Sequence, residues 1–164
     1  MILRNQVEWA LHCCGVLAGL PPDRYIATKV LAEFHGVPKE YLSKALQALS
    51  GAGIVTGTLG PSGGYRLARK SSEITFLDVV EAVEGKSSTF ECTEIRKNIP
   101  CNPATAKYGK TCAVARTMWK ADAAWRKELR SVRLSDLAKS VMEDVPADQL
   151  AQSAAWLEER TGGA

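Results

Sequence analysis

The sequence holds 164 residues, 46% of them hydrophobic, enough for one ordinary core with an added helical arm and too little for two full domains. A formal charge of +3 and a pI near 8.6 permit nucleic-acid binding without requiring it. Charged residues punctuate the N-terminal stretch and no run of about 18 apolar residues occurs, so neither a signal peptide nor a membrane span is expected; the expected setting is cytoplasmic and reducing, where clustered cysteines bind metal or act in redox chemistry.

Val7, Ala10, Leu11, Cys14, Leu17 and Ala18 repeat at helical spacing and predict an amphipathic helix from about 5 to 18. Cys14 falls in its core stripe, and neither Cys13 nor Cys14 has a partner at metal-ligand spacing, so both read as packing thiols. Glu8 and His12 lie four apart on one helix face and can reach a single object beside it; the alternative is a solvated Glu–His pair.

Residues 28–50 predict two short helices around a His35-Gly36-Val37 turn, with Pro38 at the first position of the second helix. In that second helix Leu42, Ala45, Leu46 and Leu49 point inward. Lys39, Glu40, Tyr41, Ser43, Lys44 and Gln47 remain for a face that can enter a major groove. Lys and Ser suit phosphate contacts, and Gln47 suits the N6/N7 edge of adenine; a merely solvated polar face is the alternative. After the Gly51-Ala52-Gly53 stop, two strand-like runs flank Gly60-Pro61-Ser62-Gly63-Gly64, a hairpin that turns the helix pair into a winged helix. Ser62, Gly63 and Gly64 allow the backbone to approach a phosphate closely, and Tyr65, Arg66 and Arg69 place a donor and two cations beside it.

Thr75 with Asp78 three residues on forms a capping box for a helix over 75–84, with Phe76, Val79, Val80 and Val83 as its stripe, Ile74 stapled to Val79, and Gly85 as its end. Then follows a polar segment with Cys92-x8-Cys101-x10-Cys112, interrupted by Pro100, Pro103 and Gly109. No single helix or strand can stack these thiols, so a loop must gather them; three unrelated loop thiols are the alternative. The paired Cys-x2-4-Cys spacing of zinc knuckles is missing, and five cysteines make an odd count for a disulfide framework. Thr111 is a plausible cap for the next helix, which places Cys112 in the first turn, where orphan amides favour the metal-binding thiolate.

That next helix carries Val114, Met118, Ala121, Trp125, Glu128 and Val132 at alternating four- and three-residue steps, close to a coiled-coil seam broken only at Glu128. With Trp119 it is more apolar than a small winged helix needs, which predicts self-association and a two-fold match to palindromic operators. Two terminal packing helices follow, the second opened by Pro146, with Gly162, Gly163 and Ala164 fraying. The fold class is therefore mainly α with a small β-hairpin wing, a winged helix-turn-helix plus a long dimerisation helix. Residues 1–85 are the expected DNA-binding domain, 86–112 the cysteine-bearing loop, and 113–164 the dimerisation and C-terminal helices.

VEWALHCCGVLAG, VPKEYLSKALQALSGAGIV, PSGGYRLAR, ITFLDVVEAVEG and CTEIR before CAVARTMW together resemble the Rrf-type (IscR/NsrR-like) family of bacterial regulators, from about residue 1 to 140. The resemblance implies a homodimeric transcription factor whose three-cysteine loop, Cys92, Cys101 and Cys112, holds an iron–sulfur cluster. It also implies that a ligand other than cysteine can come from the partner's first helix, which gives Glu8 and His12 a role at a [2Fe–2S] centre, favoured over [4Fe–4S]. If both bind, two cysteines suffice, with Cys101 and Cys112 expected as the closer pair and Cys92 spare or redox-active. The loop gaps here are longer than members commonly have.

The expected function is a DNA-binding transcriptional regulator, a repressor, that senses redox state, nitric oxide or iron–sulfur status. A cluster-free thiol-based or small-molecule-responsive regulator is the alternative on the same fold, and an iron–sulfur electron carrier a remote one. No catalytic constellation stands out, and His35 lies in a turn, so an enzyme is not expected. Double-stranded DNA and a second copy of the chain are the expected partners, with no membrane.

Overall fold

A computed structural model describes residues 3–60, 63–101 and 107–161. The first helix, α1 (Asn5–Ala18), buries Val7, Ala10, Cys13, Cys14 and Leu17. Its start is tied to the end of a later helix: the Arg4 amide and Nε donate to Glu84, at 2.8 and 3.0 Å, and Nη2 donates to the Val83 carbonyl at 2.9 Å.

The helix-turn-helix is α2 (Thr28–His35) and α3 (Lys39–Gly51). Gly36 closes α2 at φ +62°, a left-handed conformation that glycine adopts without a Cβ penalty. Pro38 stands one position earlier than expected, as the extended N-cap of α3, where its carbonyl accepts the first helical bond from the Leu42 amide at 3.1 Å. Leu42, Ala45, Leu46 and Leu49 are buried, as their spacing predicts. Strands β1 (Val55–Thr58) and β2 (Gly64–Leu67) pair antiparallel from Val55↔Leu67 to Thr58↔Gly64. So short a hairpin is marginal alone, and it is anchored by an added rung, with the Ile26 amide donating to Tyr65 at 2.9 Å and the Tyr65 amide to Ile26 at 2.8 Å.

Helix α4 (Phe76–Glu84) begins with the predicted capping box: the Asp78 amide donates to Thr75 Oγ1 at 3.1 Å and the Thr75 amide to Asp78 Oδ2 at 2.9 Å. Leu77, outside the predicted stripe, is buried with Val79 and Val80. The long helix α5 (Ala113–Ser131) stops one residue short of Val132. There the chain extends and pairs with 74–76: the Phe76 amide donates to Val132 at 2.9 Å and the Leu134 amide to Ile74 at 3.0 Å. Helices α6 (Leu134–Asp144) and α7 (Ala147–Thr161) complete the chain, and residues 162–164 lie outside the described residues. Leu134 and Leu157 join the same core as Ile26, Leu31, Leu46 and Ile54, so α6 and α7 pack back onto the winged helix. No described helix is long and apolar enough to cross a membrane.

Candidate metal centre and nucleic-acid interface

Helix α3 presents Lys39, Tyr41, Lys44 and Gln47 to solvent, with Ser43 half-buried. Tyr41 is 54% exposed although aromatic, and Lys44 Nζ stands 5.7 Å from its ring centroid. An open groove of about 520 Å³ runs from the start of α2 past Lys39 to the wing and is lined by Thr28, Lys29, Leu59, Gly60 and Tyr65 among others. Recognition helix, two lysines and wing thus border one concave surface, the shape and charge that a duplex backbone requires.

The wing residues differ in what holds them. Ser62 lies outside the described residues. A Cβ on Gly63 would meet the Thr58 carbonyl oxygen at 2.5 Å, and one on Gly64 would meet the Ile26 carbonyl carbon and oxygen at 2.2 Å. Both glycines therefore serve close backbone packing within the domain. Tyr65 is half-buried against the core. Arg66 is turned inward, donating from Nη1 to the Pro22 carbonyl at 2.8 Å with its guanidinium 5.2 Å from the Tyr25 ring centroid. Arg69 donates to the Glu73 carbonyl at 3.2 Å.

The segment after α4 climbs beside α5 in a ladder that the sequence did not announce. Arg126 donates to the Ser87 carbonyl at 2.7 Å, to Glu81 at 2.6 Å and to Asp122 at 2.9 Å. The Asp122 carboxyl is held below its ordinary range by Arg126 and then by Thr89. Higher up, Trp119 Nε1 donates to the Phe90 carbonyl at 3.3 Å. At the top Arg96 pairs with Glu94, donates to the Lys110 carbonyl at 3.2 Å and lies 4.2 Å from the Tyr108 ring centroid, while Tyr108 Oη donates to the Arg96 carbonyl at 2.6 Å. Along the chain Cys92 falls between Phe90, which accepts from Trp119, and Arg96, while Cys112 stands at the N-terminal end of α5. The i,i+4 spacing of Asp122 and Arg126 was a signal available in the sequence; the role of Arg96 had none.

Cys112 is itself the N-cap of α5, one place earlier in the helix than expected with Thr111 as cap. Its thiol is lowered from the ordinary range, chiefly by the backbone amide of Ala115, then by that of Val114 and by the Arg96 guanidinium, against opposition from partial burial and Glu94. Cys92 is half-buried, Cys101 is exposed, and all five thiols are free. Burial pushes the Cys13 thiol up to about 12 and the Cys14 thiol higher still, so these two stay protonated inside the core. Glu8 and His12 are exposed on α1 and border an apolar cavity of about 350 Å³ with Leu3, Leu11, Phe76 and Leu137. The His12 ring lies 5.9 Å from that of His35, in the turn region of the helix-turn-helix. Among the described residues, no three His, Cys, Asp or Glu side chains come together in a way that would hold a metal ion.

Residues 3–140 match the family Rrf2, described as an iron-dependent transcriptional regulator. The protein Rrf2 of Nitratidesulfovibrio vulgaris (strain Hildenborough) is 36% identical over 118 residues, covering 71% of this chain and 73% of its own. Among solved structures, T. potens IscR is similar at a TM-score of 0.67 and 23% identity, over 90% of this chain and 93% of that one. CymR (YrzC), the global cysteine regulator of B. subtilis, is similar at 0.66 and 23% identity, over 85% of this chain and 98% of that one. These two neighbours carry the same fold, a mostly helical winged helix with a two-stranded hairpin.

Proposed function

The chain belongs to the Rrf2 family of DNA-binding transcriptional regulators, and from that premise we propose that it is a cytoplasmic repressor whose 86–112 loop holds an iron–sulfur cluster, [2Fe–2S], as a sensor of redox state, nitric oxide or cluster supply. The observation that carries this reading is the chemistry of Cys112. Two helix amides and Arg96 favour its thiolate at the N-terminal end of α5. Thiolate is the ligand form, and the two core thiols, pushed the opposite way, are unsuited to it.

The donor set fits the group in kind. Cys92, Cys101 and Cys112 are reachable thiols of one loop, and Glu8 and His12 are exposed on α1. Among the described residues no three of these side chains come together; in this reading Glu8 and His12 serve the loop of a second copy. When both α1 residues bind, two of the three loop thiols complete the set, with Cys101 and Cys112 the expected pair. A bound cluster supplies a one-electron couple and a centre open to nitric oxide.

Self-association is supported by α5, where the seam residues Val114 and Met118 are 62% and 40% exposed and Trp119, off the seam, is 43% exposed. A two-fold dimer presents two recognition helices to the halves of a palindromic operator. Helix α1 joins sensor to output: it carries Glu8 and His12, its Gln6 Nε2 donates to the Tyr41 carbonyl of α3 at 3.5 Å, and His12 faces His35. A change of ligation at α1 therefore moves the elements that set α3 against DNA.

The exposed Cys101 and the ungathered donors favour a second reading, a cluster-free thiol regulator in which the cysteines oxidise directly. An electron carrier would leave the Lys44 and Gln47 face without a purpose. The test is His12→Ala: imidazole ligation raises a cluster's potential, so the variant, prepared anaerobically, is expected to show a lower midpoint potential and an altered visible spectrum. An unchanged spectrum and potential would remove His12 from the ligand set.

A further inference from the structure

Leu59 is 99% exposed at the tip of the wing, the largest exposure of any large hydrophobic residue among those described. It contributes nothing to the core, since the burial of β1 runs out from Val55 to Thr58 before reaching it. Its position is nevertheless defined. It borders the groove that contains Lys29 and Lys39, so it stands on the surface that faces DNA.

The rest of the described tip is nearly bare. Gly60, at φ +111°, and Gly63 have no side chains, and the backbone closes so tightly that a Cβ on Gly63 would lie 2.5 Å from the Thr58 oxygen. When α3 occupies the major groove, a hairpin beside it meets the flanking minor groove, which is about 6 Å wide and admits only a slim element. Among the described residues of the tip, Leu59 is the side chain available for insertion.

We propose that Leu59 reads the minor groove, selecting A·T pairs at the wing position because guanine's 2-amino group would be buried there against an apolar side chain with no acceptor. In that groove A·T and T·A show only acceptors, and G·C adds the N2 donor; an unpaired donor sealed from water is unfavourable. The contact adds no charge, so it contributes affinity that salt does not screen, unlike the neighbouring lysines.

The probe is a duplex selected by the native full-length chain from a randomised pool, with A·T, G·C or inosine·cytosine at the wing-contacted pairs. Inosine lacks the 2-amino group, so inosine·cytosine keeps the major-groove face of G·C while presenting only the minor-groove acceptors of A·T. The native chain is expected to bind G·C roughly tenfold more weakly than A·T and to recover on inosine·cytosine. Leu59→Asn, an exposed change with the same thermal midpoint expected, should bind the A·T duplex roughly tenfold more weakly, lose the discrimination, and keep the salt dependence. Lys39→Ala should instead flatten the salt dependence by about one unit of slope. Equal binding of G·C and inosine·cytosine by the native chain, or full discrimination retained by Leu59→Asn, would overturn the assignment.

Discussion

Cys112→Ser is expected to yield a folded, DNA-binding protein that carries little or no iron and whose operator affinity no longer responds to reductant or nitric oxide. Serine is a preferred N-cap residue, so α5 still begins at Ala113 and the Arg96 contacts to Glu94, Lys110 and Tyr108 persist. What disappears is the thiolate that Ala115, Val114 and Arg96 favour. A hydroxyl at the same place stays protonated and is a poor ligand for iron. Cys13→Ala is the control: its side chain is wholly buried and its thiol pushed up to about 12, so the change should cost about 1 kcal/mol of packing and leave the iron content alone. Iron analysis and thermal unfolding of both variants, prepared anaerobically, check the pair. Full iron content in Cys112→Ser would displace this residue from the centre of the site.

The second large effect lies in the wing. Gly64→Ala places a Cβ 2.2 Å from the Ile26 carbonyl and 2.6 Å from the Ala27 amide nitrogen, all backbone atoms that no rotamer change relieves. The rung between Ile26 and Tyr65 has to open, and with it the hairpin loses its anchor on the domain. Overpacking of about 1–3 kcal/mol together with two broken backbone bonds of about 1 kcal/mol each gives a loss of several kcal/mol, local to the wing. Operator binding should fall about a hundredfold while α3 stays in place. Gly51→Ala, at the end of α3 with open space around the new methyl, should leave both stability and binding close to native. Equal binding by Gly64→Ala and Gly51→Ala would mean that the rung does not hold the wing.

Local patterns were legible wherever one element decides its own structure. The stripes of α1 and α3, the Thr75 and Asp78 box, and the glycines around the wing each act within a few residues, and each is found where the sequence places it. Tertiary partners decided the rest. Nothing near Ser131 breaks a helix; α5 ends because Val132 and Leu134 pair with the strand-like stretch at 74–76. Arg66 reads as a phosphate contact by residue type, yet Pro22 and Tyr25, more than forty positions away, hold its guanidinium. The two C-terminal helices read as packing elements, but what they pack on is shown by Leu134 and Leu157 in the common core and by Leu137 and Trp156 against it.

The same division runs through the candidate site. Three thiols in one polar segment, and Glu8 with His12 on one helical face, could be read from spacing alone. The Ser87, Phe90 and Arg96 rungs on either side of Cys92 in the chain could not, because backbone carbonyls do most of the accepting and any residue can provide one.

In the proposed mechanism, cluster state sets operator affinity. Its most direct test is a single anaerobic preparation in which iron, acid-labile sulfide and operator affinity are measured together, before and after nitric oxide. About two iron and two sulfide per chain, with affinity that changes as the visible band is lost, is the predicted result. A colourless, iron-free protein that binds the operator equally well before and after treatment would contradict it.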